Sequence, residues 1–255
     1  MLRAFYYFFF SALWTVVLMP VATLSMLLTW NVGTSIWWAR KVWSPGLLKL
    51  GGVTLTVEGQ ENVDPTRPAI YISNHQSAAD IPALFMALPV DVRYVAKKQL
   101  QYVPFLGWYL LLARYPLVDR GNRTKAIASL KKAAQQIRGG VSIIAYAEGT
   151  RSADGSVLPF KKGPFALALE ARVPVVPVTI EGAQKLMPKG SWRVHPQAVK
   201  VKIGKPIDLS GYGDDERERL AQDVRAVVVR QSLELGGLGA SAEPAQLGSG
   251  EQARS

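Results

Sequence analysis

Two side chains of this sequence are spaced for proton transfer. His75 and Asp80 lie five residues apart in NHQSAAD, which runs from Asn74 to Asp80. A histidine at the end of a strand can point into a cleft. An aspartate in the first turn of the next helix can then reach one ring nitrogen, fixing the tautomer and stabilising the imidazolium as it forms. The other nitrogen is free to take a proton from a hydroxyl, which is general-base work that needs no protein nucleophile. The same spacing also serves a plain turn or helix cap, and the pattern is too short to decide between them. His195, the only other histidine, has no acidic neighbour in RVHPQ and reads as structural.

A second cluster has the chemistry of an anion site. EGTRS (Glu148–Ser152) supplies Arg151, whose planar fork suits a phosphate. Gly149 lets backbone approach a ligand closely. Downstream, FKKGP places Lys161 and Lys162 before Gly163 and a helix start, where anions are favoured. A solvated turn with surface lysines would have the same composition.

Composition removes several alternatives. The chain has 255 residues and no cysteine, so disulfides, thiolate nucleophiles and cysteine-ligated metals are excluded. Two histidines leave little for a metal site. There is no Gly-x-Ser-x-Gly elbow, no Gly-x-Gly-x-x-Gly and no phosphate loop ending in Gly-Lys-Ser/Thr. The net charge is +11, and residues 61–213 hold 21 Lys/Arg against 10 Asp/Glu. Such a surface suits nucleic acid, anionic lipid or a phosphorylated substrate.

These side chains must be positioned by regular elements. VTLTVEG alternates as a strand, and PAIYIS is a short apolar strand ending at His75. ADIPALFMAL reads as a helix, VRYVA and YPLVD as strands, and NRTKAIASLKKAAQQIRGG as a helix with a glycine stop. VSIIAYAEG is a strand ending at Glu148, GPFALALEARV a helix, and PVVPVTIEG and VKVKIG further strands. Alternating strands and helices predict an α/β fold, a mixed and largely parallel sheet covered on both faces. Ligands gather at the carboxyl ends of such strands, where both clusters fall. Residues 214–235 read as a charged helix, and the Gly/Ala/Ser-rich stretch 236–255 as a disordered tail. The expected units are 1–50 as membrane anchor, 51–235 as the domain that carries the chemistry, and the tail.

The anchor is read from its composition. No charge occurs from Ala4 to Ala39. One straight helix of that length would reach roughly 54 Å, against a hydrocarbon core of about 30 Å. Pro20 and Asn31–Gly33 are the expected breaks, giving either a span or a hairpin dipping into one leaflet. Five of the seven tryptophans precede residue 44, as an interfacial anchor requires. Arg40, Lys41 and Lys49 outnumber Arg3, which places the catalytic part on the cytoplasmic side of the inner membrane. The run is too long for a signal peptide and lacks a cleavage pattern.

NHQSAAD, VPFLGW with VDRGNR, AEGTRS with FKKG, and VPVVPVTIEG occur in that order. Together they resemble the four blocks of the glycerophospholipid acyltransferase family, typified by 1-acyl-sn-glycerol-3-phosphate acyltransferases. The likeness covers Ile70 to Gly182 and turns the reading of His75 from a turn to a base. The resemblance implies His75 as the base acting on an acceptor hydroxyl, oriented by Asp80, with direct attack on an acyl thioester. It implies an acceptor site from Arg120, Glu148, Gly149, Thr150 and Arg151, bordered by Lys161, Lys162 and Gly163. Pro174 and Pro177 would shape the acyl-donor side, and Lys97 or Lys98 would supply a further basic group. The implied partners are a lysophospholipid, acyl-CoA or acyl carrier protein, and a phospholipid membrane, with no nucleic acid, no metal and no cofactor beyond the thioester. Two alternatives stand beside lysophosphatidic acid as acceptor: another lysolipid such as lyso-ornithine lipid, and a non-catalytic binder of anionic lipid.

Overall fold

The computed structural model describes residues 2–118, 123–191 and 193–241, the side chains of 123–127 excepted. Six strands form one sheet: β1 (Val53–Glu58), β2 (Ile70–Ser73), β3 (Val92–Tyr94), β6 (Ser142–Tyr146), β7 (Val175–Glu181) and β8 (Gln197–Ile203). Their order is β1-β8-β7-β2-β6-β3, parallel throughout except for the antiparallel β7–β8 pair. The sheet is thus mixed and largely parallel, as its strand–helix alternation predicts. A separate two-stranded ribbon pairs β4 (Ala96–Lys97) with β5 (Leu117–Val118).

Strand periodicity divides the core. On β2, Ile70 and Ile72 pack into one apolar cluster and Tyr71 into the other, so every β2 residue is buried. One cluster is closed by α3 (Ser44–Gly51), α4 (Asp80–Ala87) and α5 (Leu106–Leu112). The other is closed by α6 (Arg123–Arg138), α7 (Gly163–Ala171) and α9 (Arg217–Glu234). β1, at the edge, alternates half-buried and exposed residues, which accounts for its VTLTVE pattern. A one-turn helix, α8 (Ala183–Leu186), follows β7. Of the stretch read as a tail, residues 236–241 run beside Val157: its N–H donates to the Gly239 carbonyl at 2.8 Å, and the Ser241 N–H donates back at 3.1 Å.

The N-terminal segment is a helical hairpin, with one break where two were expected. α1 (Leu2–Thr29) is continuous through Pro20. A proline interrupts the backbone ladder and costs about 3 kcal/mol or more in a helix interior. The helix nevertheless continues without a break on both sides of Pro20. Its hydroxyls also bond inward: Thr15 to the Ser11 carbonyl at 2.8 Å and Thr23 to the Met19 carbonyl at 2.8 Å. The chain turns at Trp30–Asn31, where the Asn31 side chain caps α2 (Val32–Trp38) by accepting the Gly33 N–H at 2.8 Å. A π-helical turn at Ala39–Trp43 joins α2 to α3. The arms are tied by Trp43 Nε1 donating to Thr15 Oγ1 at 2.9 Å. Gly46 admits the Trp14 ring, which a Cβ there would meet at 2.4 Å. By length and composition α1 could cross a membrane.

Candidate active site

His75 lies two residues beyond the end of β2, and its loop is secured on both sides. Asn74 replaces the β2–β7 ladder with side-chain bonds: its Nδ2 donates to the Ile180 carbonyl at 2.9 Å, and its Oδ1 accepts the Ile180 N–H at 2.8 Å. The Ser152 N–H donates to the His75 carbonyl at 2.7 Å, which ties the NHQSAAD and EGTRS segments together. Gln76 is buried, and its Nε2 donates to the Gly155 carbonyl at 2.9 Å and to Glu181 Oε2 at 3.1 Å.

Asp80 opens α4 and is fully buried. Its Oδ2 lies 2.7 Å from His75 Nδ1 and also accepts the N–H groups of Gln76 at 2.7 Å and Ser77 at 2.9 Å. With two backbone amides donating to it, this oxygen is an acceptor, which assigns the proton to Nδ1 and leaves Nε2 as the basic nitrogen. The flat face of His75 stacks on Tyr146, with ring centroids 3.9 Å apart and planes 11° from parallel. Tyr146 in turn stacks on Tyr94, whose hydroxyl donates to the Ile81 carbonyl at 2.8 Å. Burial pushes both phenols well above their usual range, so neither exchanges protons near neutral pH.

His75, Tyr94 and Tyr146 line a cleft of about 460 Å³ with Gly149, Lys161 and Gly163. The Lys161 stem lies 3.1 Å from where a Gly149 Cβ would stand, and Gly149 has φ +70°, so glycine is required twice over. Thr150 accepts from Lys189 Nζ at 3.2 Å, and the same ammonium donates to the Arg151 carbonyl at 2.9 Å. Arg151 is half-buried beside them.

Other residues chosen from the sequence lie elsewhere. Glu148 does not line the cleft: it is buried, and its Oε1 accepts the Leu158 N–H at 3.3 Å. Desolvation pushes its carboxyl up to about 8, against the opposing pull of the Leu158 and His75 amides. Lys162 pairs with Glu218 of α9 at 2.8 Å, on the exposed surface. Pro177 lies in β7 and Pro174 immediately precedes it, their carbonyls accepting from Gly204 and Ile70 respectively. Lys97 is exposed on β4, and Lys98 lines a separate cleft of about 390 Å³ with Arg114 and Lys132. Arg120 lies outside the described residues. Among the described residues no group of three His, Asp or Glu could hold a metal ion.

Sequence reasoning did not single out Tyr146, Tyr94, Gln76 or Lys189. Tyr146 alone had a signal: it ends β6 opposite Ser73, on the parity that His75 continues. A second cavity, apolar and about 270 Å³, lies between α1, α2 and α5 and shares Tyr94 with the cleft.

A family model described as Acyltransferase matches residues 54–181, just over half of the chain. The chain belongs to the acyltransferase family. It is 36% identical over 182 residues to a 1-acyl-sn-glycerol-3-phosphate acyltransferase of Limnanthes alba, covering 71% of this chain and 64% of that one. To the alpha enzyme of the same name from Mus musculus it is 31% identical, covering 74% and 68%. The chain therefore spans less than two thirds of the plant acyltransferase's length. The crystal structure of the 1-acyl-sn-glycerophosphate (LPA) acyltransferase PlsC from Thermotoga maritima superposes with a TM-score of 0.80 at 30% identity, covering 94% of this chain and 97% of that one. The acyltransferase match contains both His75 and Asp80 and ends at Glu181, the last residue of β7.

Proposed function

We propose that this member of the family is a membrane-bound O-acyltransferase that converts lysophosphatidic acid to phosphatidic acid. The observation that carries the reading is the buried Asp80 carboxylate 2.7 Å from Nδ1 of a histidine that lines a basic, tyrosine-walled cleft. His75 Nε2 takes the proton of the acceptor hydroxyl as its oxygen attacks the thioester carbonyl. The carbon–sulfur bond then breaks, and the departing thiolate takes the proton from the imidazolium. Asp80 holds the tautomer throughout, and no covalent enzyme intermediate or metal is called for.

Lys161, Arg151, the Gly149 backbone and the start of α7 are suited to the acceptor's phosphate, with Arg120 expected to join them. The apolar cavity that shares Tyr94 suits the first part of an acyl chain. Either coenzyme A or acyl carrier protein fits as thioester carrier, because both are anionic. The hairpin brings the cleft to the lipid surface. The arginine and lysines after the apolar run support a cytoplasmic orientation at the inner membrane.

The test is acyl transfer by membranes carrying the wild type or His75→Ala, with both donors and a panel of lysolipids. Transfer to lysophosphatidic acid is expected to fall about 100- to 10,000-fold in the variant at equal expression, the range for removing a general base. If lysophosphatidic acid is inert while lyso-ornithine lipid is acylated, the acceptor assignment is wrong. A variant as active as the wild type removes His75 from the mechanism. Unchanged lipid binding with no transfer from any donor would favour a non-catalytic binder.

A further inference from the structure

We infer that residues 102–112 form a second membrane-inserting element, a wedge that enters the bilayer beside α1. The segment exposes apolar side chains on a scale that the aqueous surface of a domain does not favour: Tyr102 is 77% exposed, Phe105 67% and Trp108 60%, and Val103, Leu111 and Leu112 are also exposed. Its backbone is built to present them. Leu106 N–H donates to the Pro104 carbonyl at 2.7 Å around Phe105, whose φ of 62° and ψ of −53° make a tight γ-turn. Gly107 then lets α5 ride against the preceding turn, since a Cβ there would fall 2.0 Å from the Gln101 carbonyl oxygen.

α5 has two apolar faces, which only a second apolar phase explains. Its inner face, Leu106, Tyr109 and Leu110, lines the cavity shared with α1. Its outer face, Trp108, Leu111 and Leu112, is exposed, and Trp108 packs edge-on against Phe105 of the same segment. The occupant of that outer face is the lipid leaflet, on three grounds. α5 packs beside α1, whose own outward side chains, among them Phe5, Phe9, Leu13 and Val17, are exposed and apolar. Tryptophan, tyrosine and phenylalanine suit the zone between headgroups and acyl chains. Cations bracket the segment, with Lys97 exposed before it and Arg114 after it, where they meet anionic headgroups. The wedge and α1 thus grip the bilayer on two sides of the apolar cavity.

The absence of cysteine makes the test direct. Single cysteines at Phe105, Trp108 and Leu111 would each carry an environment-sensitive fluorophore in the full chain. Phe9→Cys on α1 serves as the lipid reference and Arg230→Cys on α9 as the water reference, Arg230 being 70% exposed. The vesicles contain phosphatidylcholine and phosphatidylglycerol with nitroxide-labelled acyl chains. The probes at 105, 108 and 111 are expected to be quenched to the same extent as that at 9, with the probe at 230 unaffected. The third position guards against a γ-turn that fails to form in Phe105→Cys. If 105, 108 and 111 behave like 230 while 9 is quenched, the wedge is not in lipid and the inference falls. Probes shielded from water but unquenched, with doubled mass in detergent, would show a second copy covering this face and would also overturn it. If position 9 is not quenched either, the membrane reading itself fails and takes this inference with it.

Discussion

The His75–Asp80 pair was legible because both residues lie in one short segment, where a strand end and a helix start fix their separation. Glu148 was not legible, because its position depends on burial. It stands next to Gly149 and was chosen with it as an acceptor ligand, yet it turns inward to the Leu158 amide. Its carboxyl is raised from 4.5 to about 8, so the folded chain keeps a proton that the unfolded chain gives up. A raised carboxyl stabilises the fold fully below the unfolded value, and the contribution is lost as pH rises through the folded one. Stability should therefore fall from about pH 4.5 to about pH 8, by at most about 1.4 kcal/mol per pH unit from this group. Glu148→Gln, which is neutral at every pH, should unfold with a visibly flatter pH dependence over that range. Thermal melts in detergent between those limits would show it, and parallel wild-type and variant profiles would refute a buried neutral Glu148. The stack of Tyr146 on His75 was out of reach for a different reason. It joins positions 71 residues apart, and only the parallel β2–β6 register brings them together.

At the scale of elements, the core strands could be read because burial on both faces leaves continuous apolar runs bounded by turn residues. Their pairing could not: the antiparallel β7–β8 contact depends on a return path that no local pattern encodes. Pro20 misled because a proline forfeits local backbone bonds without forbidding the helix from continuing on either side of it. The stretch between Lys98 and Leu112 offered only the motif VPFLGW in sequence and no element, since its apolar residues follow neither a helical nor a strand period over enough length. What shapes it is a contact of backbone on backbone, Gly107 against the Gln101 carbonyl. Gly107→Ala should therefore destabilise the chain by roughly 1–3 kcal/mol, the usual range for forced overpacking. Gly163→Ala is the control, because a Cβ there meets nothing within 4 Å. Comparing the two melting temperatures with that of the wild type would check the claim, and equal melting of all three would count against it.

For the whole molecule, charge and apolar surface are arranged to do separate jobs. The stretch 61–213 carries 21 Lys/Arg against 10 acids, whereas 214–255 carries five against eight. The excess positive charge therefore belongs to the part that holds the cleft. Each cation near an anionic leaflet is worth about 1 kcal/mol, and the effect decays over a Debye length. That length shrinks from about 10 Å at 0.1 M salt to about 3 Å at 1 M. On the proposed membrane placement, the apolar contacts of α1 and of residues 102–112 would not weaken with salt, since hydrophobic burial does not depend on screening. Two components of membrane affinity follow. Binding to anionic vesicles should exceed binding to neutral ones at low salt, and the difference should vanish at 1 M. A residual, composition-independent affinity should survive. Vesicle flotation across a salt series measures both. Complete release at 1 M would mean that charge alone holds the chain to lipid, leaving the exposed faces of α1 and α5 without an apolar phase to cover them. A salt-independent preference for anionic vesicles would instead mean that specific headgroup contacts, rather than the general field of the basic domain, govern the approach of the cleft to its lipid.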